Sequence, residues 1–222
     1  MIVEKTFEKY FKANTWVAFA AIIIIYFIAL ALEFQFVFTD EFYTASLAGE
    51  FDYDTLTKFI HDDRGVEWVN YLIVFIVVLA PALLISLSLN TGAVFREYKI
   101  RFRQIFDITL KAQIVFALNY LVSVLFKAFG IIEKNWNTID NNYFYQSAAY
   151  FFREKGLPFW MMYPLQIINI TEIVHVLVLA LGFAYISKFG YFKSLGFVLL
   201  FYGIALVIWI IFTIFLQTIL SK

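Results

Sequence analysis

Long runs without a charged residue dominate the hydrophobic pattern of this chain. They cover residues 13–32, 68–95 and 194–221. Each reaches the roughly 20 apolar residues that an α-helix needs to cross the hydrocarbon layer of a bilayer. Two further apolar segments, 110–132 and 164–187, are interrupted only by isolated ionisable side chains. The pattern therefore predicts an all-α, polytopic integral membrane protein.

The segments predict a single membrane domain, 1–222, with five transmembrane helices. The extracytoplasmic connection 35–67 has apolar residues at helical spacing, which predicts a short helix either on the membrane surface or in a soluble loop. The second extracytoplasmic connection, 133–163, is rich in aromatic residues, which are typical of the membrane–water interface. The five predicted helices cover residues 14–34, 68–90, 110–132, 164–187 and 194–220.

Composition agrees with a membrane protein and excludes several kinds of site. Hydrophobic residues make up 63% of the chain and charged residues 15%, against about 45–50% and about 25% in soluble domains. The formal net charge is zero, so the basic footprint of a nucleic-acid-binding protein is absent. No cysteine is present, which excludes disulfides, thiolate metal sites and cysteine nucleophiles on this chain. We expect no cofactor.

The distribution of Lys and Arg predicts the orientation. With the N-terminus inside, the cytoplasmic segments 1–12, 91–111 and 188–193 hold ten basic and four acidic residues. The positive-inside rule therefore favours an N-in, C-out topology. The segment after the second helix is basic with interleaved aromatic residues, which favours contact with anionic headgroups or with a partner protein. Its basic face consists of Arg96, Lys99, Arg101 and Arg103.

Polar side chains inside the third and fourth predicted helices are the candidate site. Lys127 and Glu172 both lie roughly 8–10 Å below the outer surface, counting about 1.5 Å per helical residue. We expect them to meet, with Asn169 and His175 one turn either side of Glu172 completing a polar cluster. Such a cluster either fixes helix packing, with Lys127 alternatively snorkelling to the headgroups, or handles a proton or ligand.

Two further features concern chemistry and helix shape. Pro81 interrupts the second helix and predicts a kink, either structural or a hinge, with Ser86 and Ser88 near enough to satisfy a freed carbonyl. Glu172 and His175 form half of a di-iron carboxylate motif, but the chain has no second copy. We therefore predict no metal site.

The order of segments in the second half of the chain resembles the Yip family of five-helix membrane proteins (Ypt-interacting proteins and their bacterial relatives). The resemblance covers residues 105–220 and rests on Pro164, Asn169, Glu172 and Gly182 in the fourth helix. It implies a five-helix fold and a membrane-organising or accessory role rather than catalysis. The family's long N-terminal tail with its acidic motif has no counterpart here, which removes the basis for small-GTPase binding.

These observations predict a non-catalytic accessory or scaffold subunit of the bacterial inner membrane. Its partners are the lipid bilayer and either other integral membrane proteins or further copies of this chain; no nucleic acid is expected. The alternative is a small transporter or permease subunit that uses Lys127, Glu172 and His175. A lipid-modifying enzyme would have to use the polar cluster at residues 61–64, for which an exposed turn is the simpler explanation.

Overall fold

The computed structural model describes residues 2–47, 52–132, 134, 146–152 and 159–220. These ranges are helical apart from short connections and contain no β-strand. Five helical spans within them are long and apolar enough to cross a membrane, judged by length and composition. The predicted all-α class is confirmed for these ranges, and the five apolar spans agree with a multi-pass membrane protein. The spans are Thr15–Phe36, Tyr53–Phe95, Phe102–Ala128, Ile170–Ser187 and Tyr191–Phe215.

Several shorter helices flank or interrupt these spans. A short 3₁₀ helix, Ala148–Phe152, precedes the fourth span. In chain order the α-helices are α1 (Ile2–Lys12), α2 (Thr15–Phe36), α3 (Asp40–Leu47), α4 (Tyr53–Phe95), α5 (Phe102–Ala112), α6 (Ile114–Ala128), α7 (Phe159–Ile167), α8 (Ile170–Ser187) and α9 (Tyr191–Leu220).

The second span is much longer than predicted. The expected helix 68–90 and the short helix expected inside 35–67 are parts of one continuous α4 of 43 residues, about 65 Å long at 1.5 Å per residue. The segment 60–68 contains no proline, and its single Gly65 sits in open space. Nothing there stops the helix, so its first turns project beyond a hydrocarbon layer of about 30 Å.

Other boundaries differ because two of the predicted helices are interrupted. The third span begins at Phe102 rather than 110 and is divided at Gln113 into α5 and α6. The predicted fourth helix, 164–187, is divided at Asn169 into α7 and α8. Most of the predicted loop 133–163 lies outside the described residues.

The bundle core is shared among all spans. One apolar cluster joins α1, α4, α5, α8 and α9. A second joins α2 with α4, α5 and α6, and a third lies where α3 and the first turns of α4 meet α2 and α6.

Two polar contacts hold α3 against α4: Tyr43 donates to Asp63, and Arg64 pairs with Asp40. Burial and the Asp63 carboxylate raise the pKa of the Tyr43 phenol well above its usual value.

The amphipathic α1 is held against the bundle by a buried lysine. Lys111 Nζ donates to the carbonyl oxygens of Phe11 and Ala13 and to Asp107 Oδ2, each at 2.8 Å. In return, Tyr10 donates to the Lys111 carbonyl at 2.8 Å. Burial and the nearby Asp107 charge raise the pKa of Tyr10 to about 12. Lys111, which the charge count included in the cytoplasmic segment 91–111, is therefore buried, because the carbonyl acceptors at the end of α1 bind it.

The segments that the charge count assigned to the cytoplasmic side lie at one end of the bundle. Phe11 of α1 stacks against Tyr185 near the end of α8. Tyr98, between α4 and α5, packs edge-on against Phe189 with ring centroids 4.7 Å apart, and Lys193 Nζ lies over the Phe189 ring. The described parts of segments 1–12, 91–111 and 188–193 therefore share one end, as a common cytoplasmic side requires.

A glycine allows α4 to approach α9 closely. A Cβ built on Gly92 would lie 2.4 Å from two ring carbons of Phe201. We expect Gly92→Ala to lower the free energy of unfolding by about 1–3 kcal/mol, because the ring has to move out of a packed contact. Thermal unfolding in detergent measures the loss. Gly203→Ala is the matched control: its Cβ would meet nothing within 4 Å, so equal losses in both variants would refute this explanation.

Candidate intramembrane polar site

The first polar cluster joins α2 to α6. Lys127 Nζ lies 3.8 Å from Glu33 Oε1, and both side chains are almost completely buried. Tyr120, two turns before Lys127, donates its hydroxyl to Glu33 Oε2. Tyr120 also packs against Tyr26 with ring centroids 5.6 Å apart. A buried ion pair with a further hydrogen bond to its carboxylate is a strong positional constraint between two helices.

Lys127 was expected to contact Glu172 of α8, but in the structure its carboxylate partner lies on a different helix. Lys127 faces α2, where Glu33 is its carboxylate partner, and it does not snorkel, because its side chain is fully buried. Glu33 was overlooked because it lies at the end of an otherwise uncharged run. It lies one residue before the predicted end of its helix, about 6 Å nearer the surface than the predicted depth of Lys127. Predicted depth therefore gave no signal for the pair.

The second polar cluster joins α8 to α9. Tyr202 donates its hydroxyl to Glu172 Oε1 at 2.5 Å. His175 Nδ1 lies 3.8 Å from the same oxygen. The imidazole is fully buried between Phe116 and Tyr202, with ring centroids 4.6 Å and 5.7 Å away. Neither of its ring nitrogens has a hydrogen-bond partner among the described residues.

Asn169 has a structural role beside this cluster. Its side-chain oxygen accepts from the backbone N–H of Glu172 at 2.7 Å, and its amide donates to the carbonyls of Gln166 and Ile167. Asn169 is thus the N-cap of α8. The cap places Glu172 in the first helical turn, where the helix dipole favours a negative charge. Asn169, Glu172 and His175 thus lie together at the start of α8, whereas Lys127 of the predicted cluster pairs with Glu33.

Removing the N-cap side chain of Asn169 is predicted to lower the stability of the protein measurably. We expect Asn169→Ala to lower the free energy of unfolding by about 1 kcal/mol, since an orphan N–H at the start of α8 loses its acceptor. Asn169→Asp restores an acceptor and is the matched control. Unfolding in denaturing detergent compares the two variants. An alanine variant as stable as the wild type would mean that the cap contributes nothing.

A cavity of about 780 Å³ reaches the second cluster from the side of the bundle. Its mouth is apolar, with exposed residues of α4 and α9. Glu172, Tyr202 and Gln113 supply polar atoms deeper in. Gln113 is buried at the junction of α5 and α6, and its Nε2 has no hydrogen-bond partner among the described residues. Gln113 was missed because a lone glutamine in an apolar run gives no motif.

Pro81 lines the same cavity, and α4 continues through it as an α-helix. The sequence predicts that two serines satisfy the carbonyl that the proline leaves free. In the structure, both serines form hydrogen bonds with other groups. Ser86 donates to the Ala82 carbonyl and is hydrogen-bonded to Thr109 of α5, whereas Ser88 donates to the Phe201 carbonyl of α9. They therefore join α4 to its neighbours, and a kink at Pro81 stays a prediction.

The remaining predicted residues form no catalytic constellation. Arg96, Lys99, Arg101 and Arg103 are all exposed around the α4–α5 connection, as a basic surface requires. Asp63 and Arg64 of the 61–64 cluster hold α3 in place. Among the described residues, no group of three or more His, Asp or Glu side chains is placed to hold a metal ion.

Comparison with protein-family models finds no match, and comparisons with curated proteins and with solved structures find no significant similarity. The resemblance to the Yip family therefore stays a prediction. Function has to be inferred from the geometry of this chain alone.

Proposed function

We propose that this chain is a non-catalytic membrane subunit that associates with other integral membrane proteins through its last helix. The observation that carries the proposal is the low burial of α9. Only 17% of its apolar window is buried, against 33% to 50% in the other four spans. A helix with so little of its apolar surface buried inside its own bundle has the most surface left for lipid or for another protein.

The pattern of residues along α9 supports a protein partner. Gly196 and Gly203 are seven residues apart, so they share one helical face. A Cβ built on either glycine would meet nothing within 4 Å. The same face continues with exposed Leu200, Val207 and Ile211. Small residues flanked by aliphatic ones allow two membrane helices to approach closely.

The proposal includes a location and an orientation. We place the chain in the bacterial inner membrane with its N-terminus in the cytoplasm, because the basic segments share one end of the bundle. The exposed Arg96, Lys99, Arg101 and Arg103 then lie near anionic headgroups. An accessory role in a five-helix fold is also what the resemblance to the Yip family implies.

Site-specific photo-crosslinking in native membranes tests the α9 face. A photoreactive amino acid at Ile211 is expected to capture a discrete protein partner. The same group at Leu118 of α6, which is also exposed and apolar, is the matched control and is expected to capture mainly lipid. Crosslinks of equal yield and identity at both positions, or lipid adducts alone at Ile211, would contradict the proposal. A crosslink to a second copy of this chain would identify a homo-oligomer instead.

The second candidate function is transport. It is favoured by the cavity that leads from the side of the bundle to Glu172, with His175 Nδ1 3.8 Å from that carboxylate. Intramembrane ionisable groups beside a cavity are typical of transport pathways. On this alternative, Glu172→Gln folds normally and loses transport activity in proteoliposomes, whereas a purely structural Glu172 predicts loss of stability instead.

A further inference from the structure

The cavity between α4 and α9 has the form of a binding site that opens into the membrane. Its mouth is framed by Ile76 and Leu84 of α4 and by Ile208 and Phe212 of α9, all of them exposed. All four lie within spans that are apolar enough to cross a membrane, so in a bilayer the mouth would face hydrocarbon rather than water. A membrane-soluble molecule can therefore enter sideways without passing through a polar phase. A volume of about 780 Å³ is comparable to that of known ligand pockets.

The inner part of the cavity offers one hydrogen-bond donor and one acceptor. Gln113 is 2% exposed, and its Nε2 has no partner among the described residues. Leaving a buried amide N–H unpaired is costly, more so where no water can replace the partner. Glu172 supplies the acceptor, with one carboxylate oxygen bound by the Tyr202 hydroxyl.

Backbone irregularities in the spans border the same cavity. The third span is interrupted at Gln113, and α8 begins at Ile170, two residues before Glu172. Interrupted helices within a membrane are tolerated where they lie inside protein or line a cavity, and they recur at substrate sites. Here the break at Gln113 and the start of the fourth span just before Glu172 each bring a polar side chain to the cavity. The irregularities and the unpaired amide therefore point to the same place.

We propose that this cavity binds a lipophilic alcohol or phenol, that is, an apolar molecule ending in a hydroxyl group. The hydroxyl donates to the Glu172 carboxylate and accepts from Gln113 Nε2, so a single head group satisfies both. An anionic head group would be repelled by Glu172, and an ammonium would leave the Gln113 N–H unpaired. The apolar body lies against Pro81, Phe116 and Trp209. This site is independent of the α9 face that carries Gly196 and Gly203.

Photo-affinity labelling of the full-length protein in detergent micelles tests the proposal. The probe is a hexadecanol that carries a diazirine in its chain, and the control probe is the same chain without the hydroxyl. We expect the alcohol to label α4 or α9 peptides around the cavity, and unlabelled hexadecanol to compete. The alkane is expected to label lipid-exposed positions without saturation. Equal, non-saturable labelling by the two probes would overturn the proposal.

Substitutions identify the head-group contacts. Gln113→Leu is expected to weaken alcohol labelling about tenfold, within the range for a lost hydrogen bond. Gln35→Leu removes an exposed glutamine outside the cavity and is the matched control. Unchanged saturation of a folded Gln113→Leu variant would overturn the assignment, as would tighter binding of the hexadecylamine or hexadecanoate analogue to the wild type. If Gln113→Leu does not fold, the comparison of these probes on the wild type decides.

Discussion

Replacing Lys127 with methionine is expected to destabilise the protein by about 3–5 kcal/mol, the typical cost of removing one partner of a buried ion pair. Glu33 would remain almost completely buried without its cation, and among the described residues the Tyr120 hydroxyl would be left to stabilise it. The yield of folded protein and unfolding in denaturing detergent both measure the loss.

A second substitution tests whether Glu33, rather than Glu172, is the partner of Lys127. Glu33→Gln in the Lys127→Met background is expected to recover most of the lost stability, since the unpaired charge disappears and the side-chain volume stays similar. Glu172→Gln in the same background is expected to rescue nothing, because Glu172 bonds to Tyr202 of α9. Rescue by Glu172→Gln and not by Glu33→Gln would contradict the observed pairing.

Replacing Lys111 with methionine is expected to release α1 from the bundle, at a cost of about 3 kcal/mol. The variant loses three hydrogen bonds from a charged donor, two to the carbonyls of Phe11 and Ala13 and one to Asp107. Faster amide hydrogen exchange across α1 is the specific readout, because a general loss of stability would affect every span.

Lys99→Met is the matched control for this prediction, since Lys99 is exposed at the same end of the bundle. It removes the same charge without a buried partner, so we expect unchanged exchange in α1. If both variants behave alike, or if exchange in α1 stays slow without Lys111, the lysine does not anchor the helix.

The apolar runs were sufficient to predict the number and approximate position of the spans. The length of α4 was not predictable from hydropathy, because its first turns are polar and their helical state depends on packing against α3. The break at Gln113 was also missed. Hydropathy indicates whether a segment lies in lipid or in water. Both halves of that span suit the same environment, so hydropathy does not reveal the break between them.

The candidate site was only partly predictable for a related reason. Asn169, Glu172 and His175 are neighbours on one stretch of chain, so their spacing alone brought them together. The partners of Lys127 and Glu172 depend on which helices are adjacent, and depth along the membrane normal cannot distinguish α2 from α8. Tyr202 was missed because a tyrosine in an aromatic-rich helix gives no separate signal until the hairpin of α8 and α9 is built.

The most direct test of the proposed accessory role is purification from native membranes in a mild detergent, followed by mass spectrometry of the proteins that remain bound. The account predicts other integral membrane proteins in fixed stoichiometry, lost when Gly203→Leu fills the open face of α9. A clean monomer or a homo-oligomer, with a composition unchanged by Gly203→Leu, would contradict it and leave the cavity at Glu172 as the working site of a small transporter.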